Sequence, residues 1–243
     1  MKTVIVVQAR MTSSRLPGKI LREVLGKPLL EYQIERLKRV ARAAAVVIAT
    51  TVNAADEPVE KLGKRLAVPC FRGSENDVLS RYYFAAREHA ADSVVRVTSD
   101  CPLIDPAVID QVIALYQDNY PRYAYASNIG TRTYPRGMDT EVFSFAALAA
   151  AQAEATLAGD REHVTPFIRR DGERFPAVNL SYGRDASGYR WTVDTAEDFL
   201  LIKTILTTVY ADKPSFTLED CLDLLAANPE WSAINEHVRQ KEL

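Results

Sequence analysis

A group of cationic side chains follows the first apolar stretch of the chain. Residues 4–7 form this stretch, and Arg10, Arg15 and Lys19 follow it in a loop that also contains small residues and a Pro-Gly pair. Backbone N–H groups and fixed cations that converge after a buried strand can hold anionic oxygens, because open α/β sheets bind ligands at the carboxyl ends of their strands. The loop therefore predicts an anion site, although three ordinary surface cations would give the same spacing.

Two carboxylates occupy comparable positions further along the chain. Asp100 follows a predicted strand over 93–98, and Asp194 stands where another predicted strand, 189–193, meets a helix. Proteins hold Mg²⁺ with one or two carboxylates together with phosphate oxygens and water, while Arg and Lys neutralise the remaining charge. With the cationic loop, the two carboxylates predict a site for a metal-bound polyphosphate. Taken singly, each also fits a turn residue or a helix cap.

The elements that must position these side chains alternate between strands and helices in the first half of the chain. Hydrophobic patterning there predicts strands that are each followed by a helix. The predicted strands are 4–7, 45–50, 68–71 and 93–98, and the predicted helices are 28–40, 55–66, 75–90 and 106–116. This alternation is typical of an α/β fold with a mostly parallel, doubly wound sheet.

The pattern becomes less regular in the second half. Strands are predicted at 123–127, 140–145, 175–182 and 189–193, and helices at 145–157, 161–170, 195–209, 217–227 and 231–241. We expect Thr195 to cap its helix, and Ser74 or Asn76 to cap the helix over 75–90. No repeat, low-complexity segment or linker divides the sequence. We therefore expect a single domain over 1–243, with a small arm within about 123–190.

The amino-acid composition of the chain narrows the classes of function that we expect for it. The 243 residues are 47% hydrophobic and 26% charged, with a net charge of −2 that gives no reason to expect nucleic acid or an anionic membrane as a partner. Cys70, Cys101 and Cys221 are widely spaced, which favours reduced thiols. There is no apolar run near the roughly 18 residues that span a bilayer, and the N-terminus lacks signal-peptide features. We expect a cytoplasmic protein.

Three segments resemble the CMP-sugar cytidylyltransferases, the family that includes CMP-KDO synthetase and acylneuraminate cytidylyltransferase. They are VVQARMTSSRLPGKIL, VTSDCPLID and WTVDTAEDF. Further segments resemble the SpsF-type branch, which is associated with spore-coat polysaccharide. They are RGSENDVLSRY, YPRGMDTEVFSF and REHVTPFI. The similarity extends in order from the first predicted strand to about residue 206.

This resemblance implies a nucleotide-diphospho-sugar transferase fold with one antiparallel strand and an arm that helps to form a homodimer. It also implies that Arg10, Arg15 and Lys19 contact the triphosphate of CTP, and that Asp100 and Asp194 hold Mg²⁺. A carboxylate or hydroxyl of the acceptor would attack the α-phosphorus in line while pyrophosphate leaves. Such a reaction needs positioning and charge neutralisation rather than a covalent nucleophile.

The resemblance extends less firmly to the nucleoside and to the acceptor. Its nucleotide-binding residues, besides Arg10 and Lys19, would be Gln8, Ala9, Arg72, Ser74 and Asp77, with base choice resting on the backbone around Gln8 and Ala9. Its acceptor-binding residues would be Arg136, Asp139, Glu141, Arg161 and His163. The alternatives are structural: Asp77 also fits a first-turn helix acid, the loop near 136–141 a solvated surface, and His163 a packing role.

The predicted function is a Mg²⁺-dependent transfer of CMP from CTP to a sugar acid or a related surface-polysaccharide precursor. One alternative is a nucleotidyltransferase with another base or with a phosphonate or alcohol phosphate as acceptor. Another is a catalytically idle nucleotide-binding partner protein. A glycosyltransferase is disfavoured, because the two aspartates are separated rather than joined in a DxD motif.

Overall fold

The computed structural model describes residues 1–240. The strands in this part of the chain are β1 (Thr3–Gln8), β2 (Glu23–Val24), β3 (Lys27–Pro28), β4 (Ala45–Thr51), β5 (Cys70–Gly73), β6 (Ser93–Thr98), β7 (Tyr125–Ser127), β8 (Glu141–Ser144) and β9 (Ala177–Asn179). The α-helices are α1 (Leu29–Leu37), α2 (Glu57–Arg65), α3 (Val78–Glu88), α4 (Pro106–Asp118), α5 (Phe145–Glu154), α6 (Ala158–His163), α7 (Pro166–Arg170), α8 (Ala196–Val209), α9 (Leu218–Ala227) and α10 (Pro229–Ser232).

A seven-stranded sheet organises these elements, in the order β5-β4-β1-β6-β8-β7-β9. β8 runs antiparallel to both of its neighbours, and the other pairs in the sheet are parallel. The α/β class and the mostly parallel sheet with one antiparallel strand are therefore confirmed.

β1 is the strand that the sequence predicts to be buried on both faces, and it pairs with β4 on one side and β6 on the other. Ile5 and Val7 pack into a core with α1, α2 and α4. Val4 and Val6 point the other way, into a core with α3 and α5. Because side chains alternate along a strand, Gln8 at the end of β1 falls on the α3 side.

A third core joins the C-terminal helices to the region that follows the cationic loop. Trp191, fully buried, packs there with residues of α8 and α9 and with Leu16, Val24 and Leu29. This packing brings the segment before α8, which contains Asp194, against the loop that follows β1.

The predicted strand 189–193 is wrong. Its residues form only an isolated parallel bridge between Arg136 and Arg190, in which the Trp191 N–H donates to the Arg136 carbonyl at 2.7 Å. The predicted strand 175–182 shortens to β9. The predicted helix 161–170 is broken, because Val164 has a φ of 73° and α7 starts anew at Pro166.

The helix ends give one correction and one confirmation. Asp77, and not Ser74 or Asn76, caps α3 by accepting a hydrogen bond from the Ser80 N–H at 2.9 Å. Thr195 caps α8 as predicted, in a reciprocal capping box with Asp198.

The segment 231–241 does not form the single predicted helix. The short helix α10 ends at Ser232, turns and irregular backbone follow as far as residue 240, and Lys241 lies outside the described residues. The small β2–β3 hairpin was not predicted from the sequence either.

The segment 123–190 contributes β7, β8 and β9 to the central sheet. Its role in dimerisation stays a prediction. Among residues 1–240, no helix combines the length and the apolar character that crossing a membrane requires.

Candidate active site

A cleft of about 260 Å³ lies at the carboxyl ends of β1 and β6. All five residues predicted to bind triphosphate and metal border it, together with several that were not predicted to lie there. The described residues that line it are Gln8, Ala9, Arg10, Ser13, Ser14, Arg15, Lys19, Val78, Arg81, Thr98, Ser99, Asp100, Glu162, His163 and Asp194.

The cationic loop has a defined shape. The Met11 carbonyl accepts hydrogen bonds from the N–H groups of Ser13 and Gly18, each at 3.0 Å. The Met11 N–H donates at 2.7 Å to the carboxylate of Asp56, which is fully buried. Gly18 has a φ of 69°, a left-handed conformation that favours glycine. These contacts turn the chain so that Lys19, the next residue, points into the cleft.

Lys19 joins the two aspartates at the centre of the cleft. Its Nζ lies 2.8 Å from Asp100 Oδ2 and 2.8 Å from Asp194 Oδ1. Burial alone would lower the pKa of Lys19, but the two carboxylates raise it above its ordinary value. Burial likewise opposes ionisation of Asp100, yet Lys19 holds the pKa of that carboxyl below its ordinary value. The charged forms of both groups are therefore favoured.

A second cationic contact fixes the other oxygen of Asp194. Arg190 Nη2 donates to Asp194 Oδ2 at 2.7 Å, and Arg15 Nη2 approaches the same oxygen at 2.9 Å. Arg190 is 8% exposed, whereas Arg15 is exposed to solvent. The two arginines thus hold Asp194 Oδ2, while Oδ1 is directed toward Lys19 and Asp100.

Arg190 is itself held by a buried carboxylate. Its Nε donates to Asp198 Oδ1 at 2.9 Å, and Asp198 also accepts from the Asp194 N–H at 2.9 Å. Asn235 Nδ2 adds a hydrogen bond to Asp198 at 2.8 Å. This network was not predicted from the sequence. The capping pattern of residues 195–198 gave a signal for Asp198, but no local pattern links Arg190 or Asn235 to the site.

The donor set fits a divalent cation. Asp100 Oδ2 and Asp194 Oδ1 converge on one cation, the Lys19 ammonium, and both are hard oxygen ligands of the kind that Mg²⁺ and Mn²⁺ take together with phosphate oxygens and water. Residues 1–240 contain no group of three or more His, Cys, Asp or Glu side chains placed to hold a metal. The remaining ligands would therefore come from substrate and water.

Arg10 differs from the other two loop cations. It lines the cleft, is exposed, and has no ion pair among the described residues. An unpaired cation beside Lys19 can take up an anionic oxygen without giving up a carboxylate partner.

Three residues predicted to bind nucleotide lie outside the cleft lining. Arg72 donates to the carbonyls of Thr51 and Asn53, at 3.0 and 2.8 Å, and pairs with Glu60. The Ser74 side chain is exposed. Asp77 is the N-cap of α3 rather than an acid of its first turn, and it pairs with Arg161; its role in nucleotide binding stays a prediction.

The residues predicted to bind acceptor are dispersed. His163 lines the cleft, as does its neighbour Glu162. Arg161 instead joins α6 to Asp77. Asp139 forms a two-point ion pair with Arg132, at 2.6 and 2.9 Å.

The other two predicted acceptor residues have different surroundings again. Glu141 is 2% exposed and lies in the core, where Tyr125 and Thr165 donate to Oε1 and Arg96 donates to Oε2. It borders neither this cleft nor the larger one that contains Arg136. That second cleft, of about 1060 Å³, is also lined by Arg190 and Trp191.

Comparison with known proteins shows the family to which the chain belongs. A family model described as cytidylyltransferase matches residues 4–228. The spore coat polysaccharide biosynthesis protein SpsF of Bacillus subtilis is 30% identical over 238 residues, which cover 95% of this chain and 97% of that protein.

Solved structures agree in fold. A cytidylyltransferase from Leptospira borgpetersenii is 34% identical and superposes with a TM-score of 0.92, covering 100% of both chains. A CMP-2-keto-3-deoxy-manno-octonic acid synthetase complexed with CTP is 20% identical, with a TM-score of 0.67, and the match covers 86% of this chain and 99% of that one. The family and the fold inferred from the sequence are confirmed.

Proposed function

The chain belongs to the cytidylyltransferase family and is a nucleotidyltransferase, and we propose that it transfers CMP from CTP to a sugar acid or a related surface-polysaccharide precursor, with release of pyrophosphate. The observation that carries this proposal is the convergence of Lys19 with Asp100 and Asp194, at 2.8 Å from each, beside the cationic loop.

Arg10, Arg15 and Lys19 bind the triphosphate in this proposal. Arg10 is available without displacement, because it has no ion pair among the described residues. Lys19 exchanges one carboxylate contact for a phosphate oxygen when the nucleotide enters. The loop held by Asp56 adds backbone N–H groups, so the phosphates are oriented and their charge is neutralised before the acceptor attacks.

Asp100 and Asp194 hold the divalent cation, for which we propose Mg²⁺. When bound, it neutralises charge on the phosphate oxygens and on the departing pyrophosphate. Arg190 keeps Asp194 Oδ1 turned toward Asp100. The rest of the proposed chemistry is the positioning of the substrates and the neutralisation of their charge.

The acceptor approaches the α-phosphorus from the side of Glu162 and His163, which line the cleft from α6. A sugar acid is supported by two comparisons: SpsF is named for polysaccharide biosynthesis, and the CMP-2-keto-3-deoxy-manno-octonic acid synthetase is named for a sugar-acid product. We also propose that the chain is a single domain whose segment 123–190 takes part in a homodimer, and that it works in the cytoplasm.

The test is pyrophosphate release with Mg²⁺ and each of the four nucleoside triphosphates, against pools of sugar acids, neutral sugars and phosphonates. We expect release with CTP and one sugar-acid pool. The substitution Asp194→Asn should reduce turnover by about a hundredfold or more, because it removes a charge that holds the cation. The control is Asp212→Asn at an exposed position, which should leave turnover unchanged.

Release with a different triphosphate would contradict the choice of cytosine, and near-normal turnover of the Asp194→Asn variant would contradict the metal assignment. Stabilisation by CTP without pyrophosphate release from any pool would favour the idle binding protein. A ligand at 100 times its dissociation constant raises the free energy of unfolding by about 2.7 kcal/mol, so a thermal shift would reveal such binding.

A further inference from the structure

Two polar atoms beside the α3 wall of the cleft lack hydrogen-bond partners. Gln8 Oε1 and Arg81 Nε are both buried, and neither has a partner among residues 1–240. Both residues line the cleft that contains Lys19 and Asp100. Unpaired buried polar atoms reduce stability, so two in one cleft indicate a ligand that pairs with them.

The fold brings these two residues to the same side of the sheet. Gln8 ends β1 on the face that carries Val4 and Val6, which pack against α3. Arg81 lies one turn into α3, beside Tyr82 of the same core. The two side chains therefore approach the cleft from a strand end and from the helix that covers that strand.

Arg81 is fixed in place. It is 1% exposed, and its Nη1 donates to the carbonyl oxygens of Ser74 at 2.5 Å and of Glu75 at 3.1 Å. These contacts hold the guanidinium plane, so its remaining N–H groups have a set direction. A guanidinium can only donate hydrogen bonds.

A phosphate does not fit both atoms. It offers only acceptor oxygens, which would satisfy Arg81 and leave Gln8 Oε1 unpaired. Cytosine offers a donor, the N4 amino group, next to two acceptors, N3 and O2. Uracil has an acceptor at O4 and a hydrogen on N3, so its pattern is reversed at two adjacent positions.

We propose that Gln8 and Arg81 select cytosine, with Gln8 accepting from the N4 amino group and Arg81 donating to the N3 and O2 edge. This inference rests on the proposed function, and it places base choice in two side chains rather than in the backbone alone. The Gln8 amide can rotate to suit cytosine or uracil, because it carries both a donor and an acceptor. Arg81 cannot, so it decides between the bases.

The test compares the dissociation constants of CTP and UTP, measured by calorimetry with Mg²⁺ present, in single variants. Arg81→Gln replaces a donor-only group by one that can turn either way. We expect the preference for CTP over UTP to fall by about tenfold to a hundredfold, the size of discrimination from a well-placed pair of hydrogen bonds. Arg81→Lys keeps a donor-only cation and should retain the preference with weaker binding of both nucleotides.

The matched control is Arg87→Gln, the same change at an exposed position of α3. It should leave both dissociation constants unchanged. Gln8→Leu provides a second variant that does not depend on how Arg81 is accommodated in the fold. It should weaken the binding of CTP and UTP by similar factors, because the Gln8 amide can turn to pair with either base.

For Arg81→Gln, the ratio of the two dissociation constants is the informative quantity, since a merely structural role of Arg81 would weaken the binding of both nucleotides alike. Unchanged CTP preference in Arg81→Gln, or unchanged affinity for both nucleotides in Gln8→Leu should the first variant fail to fold, would overturn the inference while leaving the proposed function intact. A wild-type protein that binds neither nucleotide, or prefers UTP, would overturn both.

Discussion

Two clusters of buried carboxylates and cations in this protein differ in their surroundings and in their roles. In the core cluster, Glu141 is paired with Arg96 and accepts from Tyr125 and Thr165, and its side chain is 3% exposed. In the cleft cluster, Asp100 and Asp194 share Lys19, and the Asp100 side chain is 20% exposed. Both clusters contain the residue types that a sequence search selects as functional.

The two clusters differ in whether a bound ligand could replace one of the contacts made by their carboxylates. Both oxygens of Glu141 are taken by donors from the sheet and from the turn before α7, and the residue borders neither cleft. The cleft carboxylates instead meet on one lysine, whose long side chain can turn toward a phosphate oxygen. A buried ion pair thus supports the fold where its partners are enclosed, and supports binding where one partner borders an open cleft.

The largest effect should come from breaking the core cluster. Glu141→Gln keeps the shape but leaves Arg96 without a counter-charge, and removing one member of a buried pair costs about 3–5 kcal/mol of unfolding free energy. Urea denaturation measures this change, while nucleotide affinity of the folded protein should stay near that of the wild type. Loss of nucleotide affinity without loss of stability would instead place Glu141 in the binding site.

The matched control for that substitution is Asp139→Asn. Asp139 also pairs with an arginine, Arg132, but its side chain is 38% exposed. Such partly exposed pairs contribute about 0–1 kcal/mol, so the control should lose little stability. A similar loss in both variants would mean that enclosure does not distinguish the two kinds of pair.

An intermediate effect should come from the positioning residue behind the cleft cluster. Arg190→Met leaves Asp194 Oδ2 with only the exposed Arg15 as a cationic partner and removes the link to Asp198. Loss of such outer contacts weakens metal binding by about 10–100-fold. Titration of Mn²⁺ by electron paramagnetic resonance, with CTP present, measures this without requiring turnover.

Arg136→Met is the control for Arg190, because the two residues share the isolated bridge and Arg136 has no ion pair in the described part of the chain. It should leave Mn²⁺ affinity unchanged. The bridge is formed by backbone atoms and is present in both variants, so equal weakening would show that the contact of Arg190 with Asp194 is not what maintains the metal ligands.

The sequence predicted the cleft cluster because each of its members follows a readable boundary. Lys19 and Asp100 come after apolar strands, Asp194 precedes a helix with a capping pattern, and the carboxyl ends of neighbouring parallel strands meet at one edge. The predicted strand before Asp194 was wrong, yet the position of its carboxylate next to the start of α8 was correct, because the capping box of Thr195 defines that helix end.

Other features could not be read from local pattern. Glu141 lies in β8, a strand whose residues are all buried. Alternation of polar and apolar residues therefore did not indicate which way the Glu141 side chain points, or that Arg96 is its partner. Arg190 and Asn235 meet Asp198 only through the packing of the third core. Val164 adopts a positive φ that its residue type disfavours, so nothing in the sequence indicated the break between α6 and α7.

The smallest effect should be a pH dependence that reports on the core cluster. Burial alone would raise the pKa of Glu141, but Arg96 and the hydrogen bonds from Thr165 and Tyr125 hold it below the ordinary value of 4.5. A carboxyl with a lowered pKa in the folded state adds stability that is fully present above its unfolded pKa and is lost as the pH falls toward its folded pKa.

The difference in unfolding free energy between wild type and Glu141→Gln should therefore be constant from pH 6 to pH 8. Below about pH 4.5 it should shrink by up to about 1.4 kcal/mol per pH unit, since the unfolded chain then binds a proton that the folded protein excludes. Urea denaturation of both proteins at several pH values measures this. A difference that stayed constant down to pH 3 would mean that the carboxyl gains nothing from Arg96, and the enclosed pair would then resemble the exposed one formed by Asp139.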